Sequence, residues 1–406
     1  MALKGLSWQT FSSAPHRMMF FAGMSQALMA MVWWAYDLAA RYNQWLPYVD
    51  WSIPARHAHQ FLMLYGLFPL FFFGFLMTAG PRWLEMPPPP RSLYVSAFSG
   101  MTGGILLFYI GLFTDKAWVL AGILLWVAGM LRATLWWGET IRRCGKTDLD
   151  HPRATLFALI AALLGAVSFA AGEISHNPIW NRVAVAAAIW WCVLPVFISV
   201  AHRMIPFFTG NVVRPYKYWR PIWLLRVMLA ASVGHGLLDM LGQPQWTWLI
   251  DLPAAALAAY VSWRWGITRS MKVWILAMLH IGFAWLSISL AVHAAHSLML
   301  SLGFAGLGLV PLHLLMLGFV GTVLLAMATR VTLGHSGHPL QADRPTWVLF
   351  WLYHTVIATR TAAELLMPAP GHGYMLAALL WLACLGWWYK RYAVIFLTPR
   401  ADGAPG

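Results

Sequence analysis

Gly303-Phe-Ala-Gly-Leu-Gly-Leu-Val-Pro-Leu-His313-Leu-Leu-Met-Leu-Gly-Phe-Val-Gly-Thr-Val-Leu-Leu-Ala-Met-Ala-Thr329 contains no Asp, Glu, Lys or Arg. A helix needs about 20 apolar residues to cross the roughly 30 Å hydrocarbon layer of a bilayer. This stretch meets that length and carries a single ionisable side chain, His313. Reading outward with the same criterion gives spans at 18–40, 57–79, 93–113, 117–137, 153–173, 183–205, 221–241, 246–265, 272–293, 303–329, 345–366 and 373–396. Pro, Gly and charge collect between them, at Pro47 to Pro54, Gly80 to Arg91, Gly138 to Arg153 and Pro206 to Pro221. The expected fold is an all-α, polytopic transmembrane bundle of about twelve spans.

Composition agrees. Of 406 residues, 60% are hydrophobic and 10% charged, and the mean hydropathy is +0.65. Soluble domains carry about 25% charged residues, so lipid must cover most of this surface. No polar stretch is long enough for a soluble domain of ordinary size. The expectation is a single transmembrane domain over 18–396, between a cytoplasmic N-terminus (1–17) and a cytoplasmic tail (397–406). The apolar run from Met18 to Ala40 follows Lys4 and Arg17, is too long for the core of a signal peptide, and reads as a retained first span. Asp115 and Lys116 leave so short a link between the third and fourth spans that these must form an antiparallel hairpin.

Charge sets the orientation. The net charge is +14, but the basic residues are scattered between apolar runs, which argues against a nucleic-acid partner and for charge-biased topology. With the N-terminus inside, only Arg41, Arg56, Lys116 and Arg182 fall outside. Arg132, Arg226 and Arg360 lie within spans, and every other Lys and Arg is cytoplasmic. Both ends are therefore expected in the cytoplasm. Cys144, Cys192 and Cys384 are far apart and show no metal or disulfide spacing. Pro87 to Pro90 reads as a stiff spacer.

Chemistry is concentrated in 15 histidines. His57 and His59 begin the second span, and His235, His280, His313 and His354 lie inside spans seven, nine, ten and eleven. His313 and His354 are each expected near mid-membrane. An imidazole in hydrocarbon needs partners for its ring nitrogens, and an unmade hydrogen bond costs about 1–3 kcal/mol. Ionisable residues in a membrane point to function: metal or haem ligation, a proton path, or hydrogen bonds between helices. His57 and His59 stand about 200° apart on a regular helix and cannot both face one metal from it, so either one ligates or the pair sits in an unwound helix start. His335 and His338 flank Gly334 and Gly337 in a polar loop. Glu173, Asp239, Glu364, Arg360 and Arg132 are the other polar residues noted within spans. Arg132 and Arg226 are expected to snorkel to the surface. Arg360 is placed to pair with Glu364 at i+4 or with a haem propionate, the pairing being favoured. No Walker A, Rossmann or HExxH pattern occurs.

Several segments resemble the NnrS family of bacterial membrane proteins. They are Arg56-His-Ala-His-Gln60 leading into Gly74-Phe-Leu-Met-Thr-Ala-Gly-Pro-Arg-Trp83, His202-Arg-Met-Ile-Pro-Phe-Phe-Thr209, and His313-Leu-Leu-Met-Leu-Gly318 through Ala328-Thr-Arg-Val-Thr-Leu-Gly-His-Ser-Gly-His-Pro-Leu340. Leu279-His-Ile-Gly-Phe-Ala-Trp-Leu286 is similar to the family's ninth span. The resemblance implies a haem- and copper-containing protein of the bacterial inner membrane, linked to nitric oxide and nitrosative-stress tolerance. By motif it puts His57, His59, Arg203, His280, His313, Arg330 and His335 at stake, and the spans add His235, His354 and Arg360. Gln60 stands where the family often has Glu, and His202 where Gly is usual. Haem iron and copper both favour imidazole, and nitric oxide can reach a buried site through lipid. The expected site is a haem on intramembrane His, with a second His set for copper and nitric oxide or a nitrosyl species as ligand. No electron-donor module is visible, so turnover stays open. A twelve-span transporter and a non-catalytic scaffold for other metalloenzymes are the competing readings.

Overall fold

The structure, a computed structural model, describes residues 7–403; Lys4, counted above among the inner charges, lies outside them. All regular structure among the described residues is helical. After a short turn, Trp8–Phe11, come α1 (Pro15–Arg41), α2 (Ala55–Leu84), α3 (Arg91–Phe113), α4 (Lys116–Arg143), α5 (Asp150–Ser175), α6 (Pro178–Val212), α7 (Ile222–Met240), α8 (Trp248–Arg264), α9 (Trp274–Ser301), α10 (Val310–His335), α11 (Arg344–Leu366) and α12 (Gly371–Leu397). Nine of these, α1–α7, α9 and α10, are long and apolar enough to cross a membrane. α8 has only 17 residues, and α11 and α12 are diluted by Trp, Tyr and His.

The bundle is apolar outside as well as inside. Leu106 and Ile110 on α3, Leu124 and Leu135 on α4, Leu164 and Ile174 on α5 and Val227 on α7 are all exposed. Water would not tolerate so continuous an apolar surface, whereas acyl chains would. Burial separates the centre from the rim. It reaches 83% of the apolar window in α2 and α6 but only 33% in α7. α2 and α6 are therefore core helices.

The α3–α4 hairpin forms as the short link requires. The Asp115 side chain accepts a hydrogen bond from the Ala117 backbone N–H at 2.7 Å, capping the start of α4. Gly100 and Gly104 on α3 meet Gly129 and Gly122 on α4. A methyl group on Gly104 would fall 2.5 Å from the Gly122 carbonyl oxygen and 2.5 Å from the Trp126 backbone nitrogen. Small residues at the contact let two backbones touch where lipid supplies no hydrophobic driving force.

One end of the bundle gathers several helix termini. The Arg17 guanidinium donates to the carbonyls of Phe396, Ile395 and Thr398, closing the end of α12. Arg400 donates to the His335 carbonyl at 3.1 Å, and the Ala401 N–H to the Ser336 carbonyl at 2.9 Å. Tyr94 reaches the Ser12 carbonyl from the start of α3, and Lys146 pairs with Glu85 at 2.5 Å. The start of α1 and the ends of α2, α10 and α12 thus share one face.

Two details depart from expectation. Residues 303–309 do not join the tenth helix, because Gly303 and Gly308 take positive φ (80° and 55°) and break it. His313 therefore sits in the first turn of α10, near its end, rather than at mid-membrane. His335, expected in a polar loop, is the last residue of that helix.

Three helices widen into π-type turns: α2 at Phe61–Tyr65, α6 at Ala187–Val193 and α10 at Leu314–Gly321. Such turns are rare and occur mostly at functional sites. They recur at every fourth helix, a periodicity that the sequence does not display.

Gly104→Val should force the α3–α4 hairpin apart and destabilise the protein by about 1–3 kcal/mol. Gly103→Ala, whose added methyl meets Leu125 at an ordinary 3.4 Å, should be neutral. Thermal unfolding of the two purified variants in detergent checks the pair.

Candidate functional site

The segments that carry the family resemblance fall chiefly on α2, α6 and α10, the helices with π-type turns. His59 stands just before the wide turn of α2, and His313 immediately before that of α10. The two imidazoles lie within electrostatic reach of each other, with Arg360 of α11 and Arg41 of α1 close by. This is where the sequence candidates converge.

The ring of His59 stacks on Trp34 of α1, with centroids 4.1 Å apart. Its buried Nδ1 has no hydrogen-bond partner, and the Gln60 side-chain oxygen beside it has none either. His313 is held differently. Its Nδ1 donates to the Leu309 carbonyl at 2.9 Å, which fixes the tautomer and leaves a lone pair on Nε2. A second nitrogen tied to a carbonyl is the usual support of a ligating imidazole.

Charged groups rim the pair. Arg360 binds Glu364 at 2.7 Å, the i,i+4 pairing expected, and its guanidinium lies over the Tyr374 ring at 4.2 Å. The Tyr374 hydroxyl donates to the same carboxylate at 2.6 Å. Arg41 pairs with Asp37 and lies over Trp34 at 5.4 Å. A guanidinium has five N–H donors, so each of these arginines keeps some for an anionic ligand group.

The remaining candidates lie elsewhere. His57 points away from His59, as i,i+2 spacing requires, and its Nδ1 meets Glu173 of α5 at 2.7 Å. His235 is held on both nitrogens, by Asp251 at 2.7 Å and Asp239 at 3.3 Å, and stacks on Trp190 at 3.4 Å. His293 faces it, ring to ring at 5.4 Å. The Thr209 hydroxyl donates to the Ile205 carbonyl, so His280 Nε2 is the donor to that oxygen at 2.9 Å. His354 donates from Nδ1 to the Phe350 carbonyl at 2.8 Å and keeps a buried, unpartnered Nε2. His335 lies at the opposite end of α10 from His313, its ring 4.9 Å from that of His16. Arg203 rests over Trp83 at 4.7 Å and Arg330 over Phe208 at 3.8 Å. Arg226, expected to snorkel, pairs with Asp150 at 2.9 Å.

Of two imidazoles on different helices, one has an orphaned buried nitrogen and the other a fixed tautomer, and each could offer a nitrogen to an iron. For copper, no three His, Cys, Asp or Glu side chains converge into a metal-binding group among the described residues. Imidazoles do meet in pairs away from His59 and His313: His235 with His293, His151 with His202 and His335 with His16, at ring separations of 5.4, 5.1 and 4.9 Å.

Sequence reading missed Asp251, Trp34, Arg41 and Thr209 as neighbours of these histidines. Asp251 had a signal, since an acid in the first turn of an apolar helix is itself unusual. The other three are common residue types whose role depends on which helices meet.

No curated protein matches the chain. The family model described as NnrS protein matches residues 10–400. By that match over nearly its whole length, the chain belongs to the NnrS family.

Proposed function

We propose that this chain is a haem-containing protein of the bacterial cytoplasmic membrane that binds nitric oxide or a nitrosyl species and contributes to nitrosative-stress tolerance. The observation that carries the reading is that His59 and His313, both half-buried, lie within electrostatic reach of each other and of Arg360, with Arg41 near His59. His59 and His313 would hold the iron, with Arg360 and Arg41 near enough to meet the carboxylates of its porphyrin. A haem bound there supplies a metal for which nitric oxide is a natural ligand.

The protein's own contribution is positional. Leu309 fixes the proton of His313 on Nδ1. Trp34 holds the plane of His59 by stacking. Glu364 and Tyr374 fix the direction of Arg360. The rings are thus set before any ligand arrives, which lowers the entropy lost on binding. Membership of the NnrS family supports the link to nitric oxide. The topology that suits this reading has all twelve helices crossing the membrane, with both termini cytoplasmic and the His59–His313 pair towards the outer side.

Two expectations follow. The purified protein should give a haemochrome spectrum; His59→Ala and His313→Ala should each lower its haem content at least tenfold, and His235→Ala, whose ring is occupied by two aspartates, should leave it unchanged. Equal retention in all three variants would remove the assignment. In whole cells, a membrane-impermeant thiol reagent should label Lys116→Cys from outside and leave Lys146→Cys unlabelled until the membrane is opened.

A further inference from the structure

Farther along the three widened helices, α2, α6 and α10, with Phe20 of α1, line a partly open space of about 50 Å³. Phe71 and Leu76 of α2, Val196 and Phe197 of α6, and Val323 and Ala328 of α10 form its wall, which exposes no polar surface. Each of the six is at most 7% exposed. On this measure a water occupies roughly 10–15 Å³ and needs two to four polar partners. The space has room for water and nothing to hold it, so it stays dry. It is far too small for a haem.

A second void, of about 20 Å³, shares Phe71 and Leu324 with the first and reaches Met316, Gly321 and Tyr353. Met316 follows His313 by three residues, about one turn. The two spaces adjoin through Phe71 and Leu324, and their lining runs along α10 from Met316 to Ala328, roughly 18 Å. The widened turns account for the gap. An extra residue in a helical turn displaces the following side chains, and Leu314–Gly321 ends at the second void.

We propose that this cavity at the junction of α2, α6 and α10 is a holding site for a small apolar gas, nitric oxide in the first instance, in communication with the His59–His313 layer. The choice of nitric oxide rests on the function proposed above; the existence of a gas site does not. A neutral diatomic gains dispersion contacts with the ring and methyl lining, and it gives up little hydration on entering. A charged or hydrogen-bonding ligand would find no partner in the wall.

Xenon is the direct probe, because it reports a dry apolar site with or without haem. The purified full-length protein in detergent is examined by xenon-pressurised crystallography, or by exchange-type xenon NMR, beside Val323→Ala and Ala328→Leu. Wild type should hold xenon between α2, α6 and α10. Val323→Ala should raise occupancy several-fold, and Ala328→Leu should lower it at least tenfold while keeping its thermal unfolding transition. Absence of xenon at this junction in wild type overturns the proposal. So does equal occupancy in wild type and Val323→Ala, a result that does not depend on how well the filled variant folds. An acyl or detergent tail found in the space overturns it as well. A haem-free protein that still binds xenon here would remove nitric oxide as the occupant and leave the cavity standing, so the two readings fail separately.

Discussion

A ring nitrogen of histidine shut away from water must find a partner or leave the fold about 1–3 kcal/mol less stable. In this bundle that constraint is met almost everywhere. His235 is clasped by Asp251 and Asp239, His280 by Thr209, His57 by Glu173, and His313 by its own helix. Against that background His59, His151 and His354 each keep a buried, unpartnered nitrogen, and of the three only His59 stands just before a π-type turn and within electrostatic reach of His313. The ring neighbours of His354 are Trp285, Phe350 and Trp351, with no further imidazole among them, whereas the other nitrogen of His151 meets His202 at 2.9 Å.

The fold places the pair by packing that contains no chemistry. Lipid offers helices no hydrophobic reason to associate, so backbone contact has to do it. The glycine seam between α3 and α4 is one instance. On the core side, Gly74 of α2 lies against Phe20, and Gly23 of α1 against Phe71. Those contacts bring α1 against α2, which sets Trp34 against His59. The widened turns in α2, α6 and α10 then adjust the direction of the following side chains. Helix association, ring placement and the dry cavity are consequences of the same close packing.

Much of this was legible in the sequence, and the reasons it was not all legible are physical. Membrane-spanning helices announce themselves by length and apolarity, as the run from Met18 to Ala40 and the short link at Asp115 do. The pairing of Arg360 with Glu364 was legible because i,i+4 contacts are local. The opposite directions of His57 and His59 were legible for the same reason. The start of α10 was misplaced because Gly303 and Gly308 are as apolar as their neighbours, and hydropathy does not register a backbone turning to positive φ. The meeting of His59 with His313 depends on helices far apart in the chain, and no local pattern encodes it. The π-type turns depend on packing too, so their recurrence in every fourth helix emerges only in three dimensions.

The central claim is that α2 and α10 each present one imidazole to a common iron. Electron paramagnetic resonance of the oxidised, purified protein at low temperature tests it most directly. Two axial imidazoles predict a low-spin ferric haem signal as the dominant species. A purely high-spin haem signal, or no haem signal from a folded and active protein, would contradict it.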